Sequence, residues 1–181
     1  MKYLAQVTHY ASSARLDPYL VMAMIEKESG YNPWAYNPEP RYGYLWDVHR
    51  QEPFRRLTQA ESYSERPPDD FRSPRGAARD AEWWGQQASW GLLQMMGAVA
   101  RERGFTGTFL PALCNIQTSL SLGTEYLRML IDTYGEVGGV AAYNAGPGGR
   151  RGDVGQAYAA DVLHRQEGLS GSSDTITPVA V

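Results

Sequence analysis

Two glutamates stand two positions apart in "VMAMIEKESGYNPWAYN", residues 21–37. A carboxyl group can give a proton to a leaving oxygen and take one back from a nucleophile, so its surroundings decide whether it can do chemistry. Val21, Met24, Ile25 and Glu28 recur at steps of three and four, which predicts one shared helix face. Glu26 and Lys27 fall on the other side. Glu28 is thus expected on the buried face at the C-terminal end of its helix, where desolvation and the negative end of the helix dipole both favour the protonated form. A carboxyl that keeps its proton in a cleft is a general acid. The competing reading is a helix-end residue that is solvated or paired with a nearby Arg or Lys, and periodicity by itself does not choose between them.

The elements that must position Glu28 are legible. Asp17-Pro18 is a helix start: Asp accepts from free amides at the N-cap, and Pro at the first helical position sacrifices no needed donor. Gly30 is the stop, and Asn32 and Pro33 are expected to fix the chain as it leaves. A helix over about 2–14 precedes this one. Helix returns near 97–103, then in "NIQTSLSLGTEYLRMLIDTYG", where Ile116, Leu120, Leu127, Leu130, Ile131 and Tyr134 form a continuous stripe closed by Gly135. Val137, Val140 and Ala141 begin another helix that should end abruptly at "AYNAGPGG". A last helix is expected at about 153–165, and residues 166–181 read as a small-polar, mobile tail. Strand signals are weak, with a short hairpin or extended segment near "ASWGLLQ". Between about 35 and 87 lie six prolines and nine aromatics, Trp46, Trp83 and Trp84 among them. That stretch is too aromatic for a disordered linker and too rich in proline for one helix. The fold class is mostly α, one domain over residues 1–165 with a large aromatic- and proline-rich insertion.

Length and charge narrow the functions. With 181 residues and a net charge of −3, the chain can bury a core and carries no basic surplus for nucleic acid. No stretch approaches the ~18 apolar residues of a membrane span. The amino-terminal segment, interrupted by Gln6, Thr8 and His9, reads as mature structure rather than a signal peptide. A single cysteine, Cys114, allows no intrachain disulfide and is expected to be a buried filler. His9, His49 and His164 are scattered at no metal-ligand spacing, so neither a metal nor another cofactor is expected.

Three segments stand in order: "ESGYNPWAYN" at 28–37, "ASWGLLQMM" at 88–96 and "AAYNAGPGG" at 141–149. Together, with the long helix between the second and third, they resemble the soluble lytic transglycosylase family, whose fold belongs with goose-type lysozyme. The resemblance covers about 18–34 and 88–165 and implies a lysozyme-like domain. It matches Glu28 to the family's catalytic glutamate, with Ser29 following. Gly91, Leu92, Leu93 and Gln94 match the Gly-Leu-Met-Gln element of the cleft wall, Leu93 replacing Met. It implies that Gln94 and Met96 contact sugar. Tyr143 and Asn144 match the Tyr-Asn pair near the acid, with the tyrosine hydroxyl reaching towards the carboxylate. Ser29, Gln94, Met96 and Asn144 are the implied substrate-binding residues, and Glu28 and Tyr143 the catalytic pair.

The chain departs from that pattern in three places. The spacer between the first two motifs is the long insertion, the proline expected after the second motif is Gly97, and a glutamate expected four residues before Tyr158 is Val154. Asp47, Glu52 or Glu61 of the insertion are candidates to replace that glutamate.

The resemblance implies a lytic transglycosylase acting on peptidoglycan glycan strands. Most glycosidases use two carboxylates, but this chemistry needs one, because the substrate's own acetamido group and O6 hydroxyl complete the set. Glu28 would act first as acid, then as base, leaving a 1,6-anhydromuramoyl product. Insertion aromatics, Trp46, Trp83 or Trp84, would cover sugar faces. The alternatives are a goose-type muramidase that hydrolyses the same bond, and a non-catalytic glycan-binding or virion structural module. With no export signal read from the sequence and no membrane insertion, a phage or prophage protein is expected, an endolysin released by a holin or a virion-associated enzyme. A partner of a secretion machine is the other route to the wall.

Overall fold

The computed structural model describes residues 2–173. These form two compact units: the first is built from the chain up to Tyr31 and from Gly123 onward, the second from Asn32–Leu122.

The first unit opens with α1 (Leu4–Ser13) and α2 (Pro18–Ser29), which carries Glu28 in its last turn. The Asp17 side chain accepts from Tyr19 N at 2.8 Å, with Pro18 in the first turn, as the start signal requires. Gly30 closes α2 in the left-handed region at φ 55°, its N–H donating to Glu26 O. Leu20, Val21, Met22, Ala23, Met24 and Ile25 are all buried. The middle of α2 is therefore enclosed on every side, and only its last turn is amphipathic. It packs on α1 and on α7 (Asp153–Ser173). Three ion pairs tie the last turn of α2 to α7 and to each other: Lys27–Asp161 at 2.5 Å, Arg165–Glu26 at 2.7 Å and Arg165–Asp161 at 3.1 Å. Each is half exposed and contributes only about 0.2–1 kcal/mol, so they set the register of α7 more than its stability. α7 runs past the expected end at 165 to Ser173; residues 174–181, the rest of the expected tail, lie outside the described residues.

The long helix α6 (Ile116–Gly149) starts in the second unit and is broken at Gly135 (φ 75°, ψ 171°) and Gly146 (φ 70°, ψ 163°). Those angles belong to glycine alone, which is why helix signals on either side of Gly135 read as two helices. Pro147 follows the second break, where its missing N–H costs nothing.

The second unit holds the insertion. Strands β1 (Tyr36–Pro38), β4 (Ala88–Trp90) and β5 (Met95–Met96) form an antiparallel sheet in the order β1-β4-β5, with Tyr36 opposite Trp90 and Ser89 opposite Met96. The extended segment expected near "ASWGLLQ" is thus the β4–β5 hairpin. A second hairpin, β2 (Trp46–Asp47) and β3 (Glu52–Pro53), is turned by Asp47, whose carboxylate accepts from His49 N and Arg50 N at 2.9 and 3.0 Å. Short helices α3 (Gln59–Ser62), α4 (Arg79–Gln86) and α5 (Gly97–Glu102) complete it, with a 3-10 turn at Leu110–Cys114.

The insertion has a core of its own, which accounts for its aromatic content. Leu45, Phe71 and Trp83 are buried together, with Phe54 and Leu57 against them. The Phe71 ring meets Phe54 and Trp83 edge-on at 5.4 and 5.2 Å, the arrangement that aromatic quadrupoles prefer. Trp83, expected as a sugar-covering ring, is 1 % exposed and belongs to this core. Beside it Glu82 and Arg101 form a buried ion pair, both Arg101 Nε and Nη2 donating at 2.8 Å. Gln86 ties the pair to the hairpin: it donates to Glu82 and to Trp46 O and accepts from Trp46 N.

Removing one member of such a pair strands a buried charge. Arg101→Ala is expected to cost about 3–5 kcal/mol in urea unfolding, whereas the joint change Glu82→Leu with Arg101→Met recovers most of it. An Arg101→Ala chain as stable as the parent would show that the pair is solvated.

Candidate active site

Glu28 is half-buried in the last turn of α2, two residues before the left-handed Gly30 that ends it. The Tyr158 hydroxyl of α7 donates to Glu28 Oε1. Tyr158 itself is 6 % exposed, on the face of α7 that also buries Gly155, Ala159 and Val162. Small residues on either side bring that face against its neighbours and leave room for one long side chain, the phenol. Tyr143, just before the Gly146 break in α6, is the third member: the Glu28 charge acts on its phenol, and its ring lies 5.4 Å from that of Tyr126.

Both phenols are pushed far above the ordinary 10.0, chiefly by burial and next by the Glu28 charge. Tyr158 is raised also by its hydrogen bond to that carboxylate. They therefore remain neutral donors across all working pH, and Tyr158 orients Glu28 through a proton it does not lose. The pairing expected of Tyr143 thus has a second participant that the motif reading did not include. Its signal was present in the sequence: Gly155, Tyr158, Ala159 and Val162 recur at helical steps, a polar-tipped aromatic in a stripe of small residues.

The remaining expected site residues have other surroundings. Ser29 is half-buried and its hydroxyl donates to Ile25 O at 3.1 Å, back-bonding within α2. Asn144 is exposed in α6. Gln94 and Met96 belong to the second unit. Gln94 adopts a left-handed φ of 45° and clasps its own loop: Nε2 donates to Ala35 O at 3.0 Å and Gly91 O at 2.9 Å, and Oε1 accepts from Ser89 Oγ at 3.0 Å. With both amide protons engaged, the group it can offer a ligand is the second lone pair of Oε1. Gly91, at φ 73°, sits where an added Cβ would lie 2.5 Å from Leu113 O, so this element needs glycine for both angle and space. Met96 is half-buried at the N-cap of α5.

Of the carboxylates suggested as replacements at position 154, Asp47 and Glu61 have partners within the insertion and Glu52 is exposed. Asp47 caps its hairpin turn. Glu52 lies 3.9 Å from Arg50. Glu61 accepts from Arg55 and closes a capping box with Thr58, which together hold its carboxyl down to about 2. Val154 is 73 % exposed at the start of α7.

The raised phenols carry a signed consequence. A folded-state value above the unfolded one means that the native chain holds protons the unfolded chain releases, so stability is full below about pH 10 and falls as pH rises beyond it. In a spectrophotometric titration, Tyr158→Phe is expected to remove phenolate absorbance only from the late phase that accompanies unfolding. Loss of amplitude from the early phase would show a solvent-accessible hydroxyl instead.

Among the described residues no helix is long and apolar enough to cross a membrane, and no group of three or more His, Cys, Asp or Glu could hold a metal ion. Comparison with curated proteins and with solved structures returned no match. The family model of the transglycosylase SLT domain matches residues 6–165, which takes in Glu28, Gln94, Tyr143 and Tyr158. With most of its length covered by that match, the chain belongs to the SLT transglycosylase family, and its activity is that of a peptidoglycan lytic transglycosylase, a lyase of the cell wall.

Proposed function

We propose that Glu28 is the acid and base of a reaction that cleaves the β-1,4 bond between N-acetylmuramic acid and N-acetylglucosamine and closes a 1,6-anhydro ring. The observation that carries this reading is the Tyr158 hydroxyl donating to a half-buried carboxyl at the end of α2, with the Tyr143 phenol close enough to feel its charge. A carboxyl used twice in one turnover must present the same oxygen to two different partners, first the glycosidic oxygen and then O6. Orientation by a phenol that keeps its own proton suits that requirement.

The steps balance without water. Glu28 gives its proton to the glycosidic oxygen as the C1–O bond breaks, and the 2-acetamido oxygen of the muramoyl unit stabilises C1 from the opposite side. Glu28, now ionised, takes the O6 proton as O6 attacks C1. The carboxyl is thereby returned to its starting state. Tyr158 and Tyr143 position it throughout, and Ser29, Gln94, Met96 and Asn144 serve as contacts to sugar, Gln94 through the remaining lone pair of Oε1.

Digestion of purified peptidoglycan followed by mass spectrometry tests the reading. The parent chain should release muramoyl ends lighter by one water than hydrolysis gives, and Glu28→Gln should lower the rate by about 10²–10⁴-fold. Reducing muramic acid ends would make the chain a hydrolase of the same bond. A Glu28→Gln chain that clears cell walls like the parent would remove Glu28 from the chemistry.

A further inference from the structure

The second unit keeps several large rings out of its core. Phe109 is 56 % exposed, Tyr36 50 % and Trp84 38 %, although Phe71 and Trp83 a few residues away are fully enclosed. These three line one hollow of about 250 Å³ together with Trp90, Thr108 and Leu110. Clustered rings left open to water mark a binding site more often than a packing defect.

We propose that this hollow is a subsite for one uncharged N-acetylhexosamine ring of the glycan strand. The inference rests on the glycan-cleaving reading above and assigns it a further binding site. Four observations carry it. Tyr36 and Trp90 are in ring contact across the β1–β4 ladder, with centroids 4.6 Å apart and planes at 48°, which joins them into one aromatic wall for the C–H face of a pyranose. The volume lies below the roughly 300–1,000 Å³ of a drug-sized pocket, which suits a single ring unit.

Charge makes the third point. Among the described residues of the lining, Glu82 is the one charged at neutral pH, and both its oxygens are engaged by Arg101. A stem-peptide carboxylate or a phosphate would find no counter-charge there, whereas a neutral sugar needs none. Hydroxyl groups for its polar edge are supplied by Tyr36 and Thr108. Finally, the site is continuous with the sheet: Trp90 pairs with Met95, the residue after Gln94, so the same short ladder carries the hollow and the Gly-Leu-Leu-Gln element. Its Trp90 ring is held in place, Nε1 donating to Gly85 O at 2.9 Å, which reduces the ordering left when a sugar docks.

The test measures binding in the full chain carrying Glu28→Gln, so that turnover does not interfere. The probe is the β-1,4-linked tetramer of N-acetylglucosamine, and the readout is calorimetry. Trp84→Ala and Phe109→Ala should each weaken binding about tenfold at unchanged Tm, while Trp34→Ala, 73 % exposed and outside the hollow, should leave it unaltered. Affinity within about twofold of the parent in both hollow variants overturns the subsite. So does a result in which they abolish self-association in sedimentation yet spare the tetramer, since the patch would then cover a second copy. Failure of the catalytic reading looks different: Glu28→Gln would digest walls normally while the hollow variants still lost affinity for the tetramer.

Discussion

The hydrogen bond from the Tyr158 hydroxyl to Glu28 joins residues 130 positions apart, and much of the first unit exists to make it possible. A carboxyl at the end of a helix ordinarily turns outward to water. Here the helix that carries it is enclosed through its middle from Leu20 to Ile25, which leaves the last turn no freedom to tilt. The Asp17 cap fixes where α2 begins, and the left-handed Gly30 fixes where it ends. Gly155 and Ala159 remove bulk from α7 on either side of Tyr158, so the phenol projects where a larger neighbour would block it. The ion pairs from Lys27 and Glu26 to Asp161 and Arg165 then hold α7 in register. Individually weak, they act on a quantity to which the site is sensitive, since a one-turn slip of α7 would carry the hydroxyl about 5.4 Å away.

The second unit solves a different problem. A long insertion between two motif segments has to remain folded, and this one does so with its own aromatic core and a buried Glu82–Arg101 pair. Gln86 links that pair to the β2–β3 hairpin, and Arg55 bridges Glu61 and Asp70 on the surface. The polar side chains of the insertion are thus largely architectural. Among what it leaves exposed are the large rings of Tyr36, Tyr63 and Trp84.

Local chemistry was legible where one residue type answers one geometric demand. Asp17-Pro18, Gly30 and the breaks at Gly135 and Gly146 each followed from a cap or an angle that few residues satisfy. The short hairpin at "ASWGLLQ" followed from weaker signals. Roles that depend on a partner far along the chain were harder. Trp83 and Trp84 are adjacent and alike in sequence, yet one is enclosed by Phe71 and the other lines a hollow; only packing separates them. The partners of Asp47 and Glu61, backbone amides and Arg55 of the same insertion, carry no pattern of their own. Gln94 also holds its own loop, engaging both amide protons with Ala35 and Gly91, contacts that a motif does not encode. The end of α7 was placed too early because Gly168, Ser170 and Gly171 are poor helix formers, and the helix continues through them regardless.

The central claim is that Tyr158 acts through Glu28. Turnover of Tyr158→Phe, measured in the parent chain and again in the Glu28→Gln background, tests it most directly. The account predicts a loss of about 10–100-fold in the parent, the scale of one hydrogen bond to a charged group, and no further loss once Glu28 is gone. Equal losses in both backgrounds, or none in the parent, would contradict it.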